Sequence, residues 1–460
     1  MGSRMRKILG LLMLLCLSGC GPALKSDYQR PTLSVPEQWR TSENTGSTGA
    51  SFLSQRAHWW DNFQDPQLSR AINAMLESNN DLALATLALQ QAQLTAGLRK
   101  TNMTPDFTAS LGASNSKNIS TSAHADENYN GALNASYELD LWGRLARSRD
   151  QAEWLAKASE QDRQATALTL IGTLSQLYWQ LGSLNQQIIN GQQGLNIAES
   201  SQRLAMSRFN AGEVSRLDVV QAEQTVLNRR VTQRDLERQR EEARNAMAIL
   251  FNRGPHQRQA EPATLKINPS IAVVQHLPLE VIAKRPDVQA AEWNLRAALA
   301  GSDVARLDFY PKLTLSAGLG AGATVFQQWF SNPVRTLGST LSLPFIEWNR
   351  VQLTIEQSKL EVQRAAIQFR SKVYSALSDV DNAMSQRVTY QQQKQSQLID
   401  LQLSQQRLQL ANSQYRAGAV SYQTLLDAQD SLLNSENTLV QTQYNYLYAT
   451  MKLWLALGGV

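Results

Sequence analysis

Ala211-Gly212-Glu213-Val214-Ser215 returns 206 residues later as Ala417-Gly418-Ala419-Val420-Ser421. Glycine tolerates the positive φ of a tight turn between antiparallel helices. Both pentapeptides interrupt long proline-free stretches, since no proline falls between Pro105 and Pro255 and none follows Pro344. An unbroken helix from Leu145 to Phe209 would approach about 100 Å at roughly 1.5 Å per residue, which no ordinary globular domain contains. After the second turn, Leu425, Leu432, Leu439, Tyr446 and Leu453 recur at one heptad position, with Ala428, Ser435, Thr442 and Ala449 three residues on. Large residues alternating with small ones suit close coiled-coil packing.

The same spacing extends outward from the turns. Asp81 and Pro105 match Asp287 and Pro311; Trp142 and Arg144 match Trp348 and Arg350; Ala222 and Asn228 match Ala428 and Asn434. The chain is thus expected to divide into repeat one over 59–254, a proline-punctuated linker over 255–286, and the core of repeat two over 287–460. Each copy opens with a helix, rich in Ala, Leu and Gln from Asp81 to Lys100, and then changes period. Phe107, Ala109, Leu111 and Ala113 alternate with small polar residues, as do Leu133, Ala135, Tyr137, Leu139 and Leu141. This predicts a strand hairpin over 107–141. Leu313, Leu315, Ala317, Leu319 and Ala321, then Leu337, Leu341, Leu343 and Phe345, predict a second over 313–345.

Strands of about ten residues, apolar on one side and polar on the other, form the wall of a transmembrane barrel; a half-buried soluble sheet gives the same alternation. The long helices favour the barrel. Four strands cannot close, and an open edge in lipid leaves backbone groups unpaired at a cost of several kcal/mol each. Two chains would give eight strands with a bore filled by side chains; three would give twelve and an aqueous lumen.

At the N-terminus Arg4, Arg6 and Lys7 precede an apolar run from Ile8 to Leu17 and the tetrad Leu17-Ser18-Gly19-Cys20. That order predicts a signal peptide over 1–19, too short to span a bilayer permanently. The tetrad resembles the bacterial lipobox, which implies cleavage before Cys20, a diacylglycerol and an acyl chain on that residue, and a lipidated extended segment over 20–58. Gly21, in place of Asp, implies outer-membrane sorting. Cys16 would leave with the signal, so no disulfide is expected. The net charge of +5 comes from 44 basic and 39 acidic residues spread along the chain without a like-charged block, which gives no sign of a nucleic-acid partner.

Several further segments carry a family resemblance: Asp27-Tyr28-Gln29-Arg30-Pro31; Trp59-Trp60 through Phe63, Asp65, Pro66 and Leu68; and Tyr137-Glu138-Leu139-Asp140-Leu141-Trp142-Gly143-Arg144. Arg285-Pro286-Asp287 with Ala291-Glu292, Phe309-Tyr310-Pro311 and Leu457-Gly458-Gly459 complete the set. Together they resemble the TolC-like outer-membrane factors, in particular the lipoprotein branch serving resistance-nodulation-division efflux pumps. The resemblance implies a mainly α fold with a membrane β-barrel. Three chains would supply four strands each to a 12-stranded barrel, continued by a long antiparallel coiled-coil α-barrel reaching into the periplasm. It implies a homotrimer anchored in outer-membrane lipid, with a periplasmic adaptor and an inner-membrane efflux transporter as partners. Gly212, Glu213, Val214 and Ser215, and Gly418, Ala419, Val420 and Ser421, would be the tips that meet the adaptor. Tyr415, Thr424 and Asp427 would line a periplasmic gate, Thr424 standing where some members carry an acid. Gln221 holds in repeat one the place of Asp427, so an acidic gate would belong to repeat two alone.

The chain is expected not to be an enzyme and to bind no metal. His58, His124, His256 and His276 are scattered without ligand spacing. Gly318, Gly320 and Gly322 lie on an alternating strand without the Lys-Ser/Thr of a phosphate loop. The expected function is a passive exit duct for drugs, toxic compounds or ions. The alternatives are the outer-membrane component of a type I protein secretion system and a structural periplasmic coiled-coil lipoprotein without a pore.

Overall fold

The computed structural model describes residues 24–33, 58–120, 124–265 and 279–459. Cys20 and the signal segment lie outside them. Among these described residues seven α-helices and four strands follow in the order α1 (Pro66–Ser78), α2 (Asn80–Thr101), β1 (Asp106–Ser116), β2 (Asp126–Leu139), α3 (Arg144–Asn210), α4 (Arg216–Leu250), α5 (Pro286–Leu307), β3 (Lys312–Ala323), β4 (Pro333–Ser342), α6 (Trp348–Arg416) and α7 (Tyr422–Ala456). The duplication is exact in places: α2 and α5, and α4 and α7, begin and end 206 residues apart. Helices α3 and α6 run 67 and 69 residues without a break.

The chain divides into two compact units. The first holds the four-stranded antiparallel sheet in the order β1-β2-β3-β4, in which the hairpin of one repeat pairs with that of the other through Leu133 opposite Leu319 and Tyr137 opposite Leu315. The register puts Phe107, Leu111, Leu133, Leu319, Leu337 and Leu341 on one face, all exposed. Ser110, Asn130, Asn134, Ser136, Thr314 and Thr336 occupy the other. Strands β1 and β4 are edges. The alternation read in the sequence thus becomes an apolar and a polar surface, as a membrane wall requires.

Both hairpins start one residue early, at Asp106 and Lys312, and both end short of expectation. β4 starts at Pro333 and stops at Ser342, because Pro344, which lacks an N–H for the ladder, opens a 3-10 turn that includes Phe345. β2 ends at Leu139 rather than Leu141 because Asp140 leaves the ladder to cap α3, accepting from the amides of Leu145 (3.0 Å) and Ala146 (2.8 Å). The rest of that motif completes the strand-to-helix corner: Gly143 takes φ +79°, Trp142 donates to the Pro311 carbonyl at 2.8 Å, and Arg144 pairs with Glu138 at 2.7 Å.

In the second unit the core gathers Trp59, Trp60, Phe63, Tyr178, Trp179 and Trp454. Trp59 stacks on Trp454 with ring centres 5.5 Å apart, and Asp65 caps α1 while accepting from the Tyr178 hydroxyl at 2.9 Å. Arg285, buried, donates to the carbonyl of Ala456 at 3.0 Å and pairs with Asp287 and Asp379. It thereby satisfies the end of α7 just where Gly458 and Gly459 turn through φ +80° and +72°. The heptad of α7 is inward: Leu425, Leu439, Tyr446 and Leu453, with Ala428, Ser435, Thr442 and Ala449, are buried.

Candidate gate and docking tips

Both expected tips are helix–turn–helix corners of identical construction. The Glu213 amide donates to the Arg208 carbonyl and the Gly212 amide to that of Phe209, each at 2.9 Å. One repeat later Ala419 donates to Gln414 at 2.9 Å and Gly418 to Tyr415 at 3.0 Å. This pair of bonds, closed by a glycine at φ +77° or +72°, is the Schellman ending that spares the last carbonyls of a helix from going unpaired. Ser215 and Ser421 then start the returning helices as N-caps. Ser215 forms a capping box with Asp218, whose carboxylate accepts the Ser215 amide at 3.3 Å. Thr424 is the matching third helical position of α7, its amide donating to the Ser421 hydroxyl at 3.3 Å. The acid and the threonine therefore occupy one capping position in the two copies.

The residues expected to line a gate separate into two environments. Thr424 and Asp427 are exposed and three residues apart on one face of α7. Asp427 accepts the Gln423 amide at 2.7 Å; among the described residues no cation pairs with it. Asp430, one step further, is neutralised by Arg229 at 2.8 Å. Tyr415 does not join that row. It is 2% exposed and packs with Tyr422, Leu425, Ala428, Ala222 and Ala205, its ring 5.6 Å from that of Tyr422. Burial pushes both phenols above their ordinary pKa, so they stay neutral. Within this subunit Tyr415 therefore packs behind the exposed row of Thr424 and Asp427.

Arg208 escaped the sequence reading. Its guanidinium donates to the Tyr415 carbonyl at 2.8 Å, lies 4.9 Å from the centre of that ring, and bonds Glu213 at 2.8 Å. A cation from the last turn of α3 thus completes the C-terminus of α6, where the helix dipole favours positive charge. The 206-residue offset carried the signal, for Arg208 and Glu213 answer to the uncharged Gln414 and Ala419. Among the described residues no group of His, Cys, Asp or Glu could hold a metal ion, and no helix is long and apolar enough to cross a membrane.

A sheet with one apolar and one polar face, together with two long helical hairpins of matched tips, defines an outer-membrane channel subunit. The chain belongs to the outer membrane efflux protein family, whose model matches residues 71–253 and again 277–459, two segments 206 residues apart. It is an outer-membrane efflux channel. It is 31% identical over 441 residues to the pyoverdine export outer membrane protein OpmQ of Pseudomonas putida, covering 93% of each chain. It is 28% identical over 461 residues to the probable outer membrane lipoprotein SilC of Salmonella typhimurium, covering 98% of each. The crystal structure of CusC, described as forming a transmembrane channel, superposes with a TM-score of 0.83 at 25% identity, over 95% of this chain and all of that one.

Proposed function

We propose that three copies of this chain close a 12-stranded barrel and serve as the exit duct of a tripartite pump, gated at the tips. The observation that carries this reading is the pair of open edges. The sheet order leaves β1 and β4 unpaired, which lipid does not tolerate. The helices attached to those edges carry matching unpartnered stripes. On α2 these are Leu87 and Leu94 with Leu84 and Leu98; on α6 they are Leu353, Leu360 and Ile367, seven residues apart and all exposed. Stripes at heptad spacing want another helix, and the copy whose β4 pairs with β1 brings its α6 to α2. A heterologous contact of this kind closes as a ring.

The tips at Gly212–Ser215 and Gly418–Ser421 then form one end of the assembly, where the hairpins of a periplasmic adaptor dock and link the duct to an inner-membrane transporter. Asp427 and Thr424 line the constriction there, three copies of Asp427 repelling anions and one another, while the Arg208 clamp holds the closed arrangement. Cys20 carries the acyl chains that fasten each subunit to the outer membrane. Support for that anchor comes from the segment just beyond it, which docks on α5 through Ser26 to Asp303 (hydroxyl, 2.5 Å) and Arg30 to Glu292 (3.1 Å).

Cysteines introduced pairwise at Leu94 and at Leu353, Leu360 or Ile367 test the assembly. At least one pair should cross-link into dimers and trimers in denaturing gels, and the unmodified protein should run as a heat-sensitive trimer with low conductance in planar bilayers. A monomer without cross-links or conductance overturns the reading.

A further inference from the structure

Arg335 is the third residue of β4 and stands on the apolar face of the sheet, opposite Leu319. Among the described strand residues it is the only cation on that face, and it is exposed. A guanidinium facing lipid is costly at the bilayer midplane and nearly free at the polar boundary, so the depth of Arg335 matters. The loop between β3 and β4 fixes it. Phe326, Trp329 and Phe330 close into a cluster with Tyr129, the Trp329 and Phe330 rings stacked at 5.5 Å and Tyr129 5.5 Å from Phe326. Phe326 and Phe330 remain exposed. The cluster lies on the same apolar face, because a Cβ added to Gly131 would sit 3.5 Å from the Trp329 indole nitrogen and 3.7 Å from Phe330. Gly131 shares a row with Ala321 and Pro333, two residues from Arg335.

Aromatic rings of this kind mark the headgroup level of a membrane barrel. The cluster occupies the end of the sheet away from the helices, the outer-leaflet end of an outer-membrane channel. An arginine at that level, facing outward beside aromatic rings, meets anionic headgroups, and its planar fork matches phosphate oxygens in a bidentate bond.

We infer that Arg335 binds a phosphate of the phosphorylated glycolipid of the outer leaflet, a lipid A headgroup, one at each seam between subunits. The seam rests on the trimer proposed above: β4 of one copy pairs there with β1 of the next, whose Lys117 follows directly on the last strand residue, Ser116, and is exposed. The two basic residues thus converge on the outer rim of one seam and serve one acidic headgroup.

The test uses the full-length protein in detergent, with native mass spectrometry reading lipid retained and heat-sensitive migration reading the trimer. Bisphosphorylated lipid A should bind the wild type at least fivefold more tightly than its dephosphorylated form. Arg335→Ala should bind the phosphorylated form no better than the dephosphorylated one, and Arg335→Lys should keep part of the preference. Equal binding by wild-type and Arg335→Ala trimers overturns the site. Equal preference for phosphatidylglycerol overturns the assignment to the outer-leaflet glycolipid. A monomeric wild type overturns the assembly and the seam with it, an outcome that the gel separates from loss of lipid selectivity in an intact trimer.

Discussion

Arg208 of the first repeat donates to the Tyr415 carbonyl of the second at 2.8 Å and covers its ring at 4.9 Å, so one side chain ties the end of α3 to the end of α6. The tie is partly exposed, and exposed pairs contribute about 1 kcal/mol or less. Its effect should therefore appear in gating before stability. Arg208→Ala is expected to raise basal conductance in planar bilayers while lowering thermal stability by about 1 kcal/mol or less. Glu213→Ala, which leaves the Tyr415 bonds in place, should change conductance little. Equal conductance of wild type and Arg208→Ala would dismiss the clamp.

Asp303 is 2% exposed and accepts from the buried Arg147 at 2.6 and 2.9 Å, and from the Ser26 amide at 3.1 Å. Asp303→Ala would leave the buried Arg147 with Asp150 alone, at 3.2 Å, so the cost should fall below the about 3–5 kcal/mol of a fully unpaired buried charge. It would also release the segment that follows the lipid site. The expected outcome is a lower melting temperature together with faster tryptic cleavage after Lys25. A variant that melts early but resists cleavage would show that the segment is held by other contacts.

How much of this was readable depends on whether a feature is repeated locally or made between distant segments. Gly212 and Gly418 announced the two turns because positive φ demands glycine, and the alternation through Leu133 and Leu319 announced the strands because a pleated chain must alternate. Beyond the mismatch of Arg208 with Gln414 across the repeat, the roles of Arg208 and Tyr415 were not readable. A ring stacked under a guanidinium and a carbonyl capped across 207 positions depend on how α3 and α6 pack, and neither leaves a period in the sequence. Thr424 was legible only as a missing acid. The structure shows why a threonine serves: it stands at the cap position that Asp218 fills in the first repeat. The cap of helix α1, Asp65, gained meaning only from the Tyr178 hydroxyl, whose hydrogen bond it accepts.

Glycines at two helix ends should answer differently to alanine. Gly212 has open space around an added Cβ and strains only the backbone, about 1 kcal/mol. At Gly459 the Cβ would fall 2.6 Å from the Trp59 indole nitrogen and 2.9 Å from Leu168, inside the aromatic core. Gly459→Ala should therefore lower the melting temperature clearly more than Gly212→Ala, and equal melting temperatures would refute the packing described.

Glu436 lines a small cavity with Arg229, Gln429 and Leu433, and burial pushes its carboxyl above the ordinary range. A carboxyl whose folded pKa exceeds its unfolded value binds more protons when folded, so the ionised form destabilises at neutral pH and the penalty fades as pH falls through the folded pKa. Glu436→Gln is expected to raise the melting temperature at pH 7.5, with the difference from wild type vanishing near pH 4, by about the unfolded glutamate value. A constant difference across that window would mean that protonation is not the cause.

Asp427 and Asp430 form the sharpest comparison. They are three residues apart on α7, yet Arg229 neutralises Asp430 at 2.8 Å while Asp427 takes only a neutral amide from Gln423. Three unpaired carboxylates around a narrow axis attract cations and repel one another, whereas three paired ones do neither. Asp427→Ala trims three side chains from the proposed constriction and should raise basal conductance, while the loss of their charge should weaken cation selectivity, measured as the reversal potential across a salt gradient; Asp427→Glu should keep both at wild-type values. Asp430→Ala frees Arg229 and should leave selectivity unchanged or shift it towards anions. If Asp427→Ala leaves conductance and reversal potential at wild-type values, the gate lies elsewhere in the tip, and the Arg208 clamp becomes the element to test next.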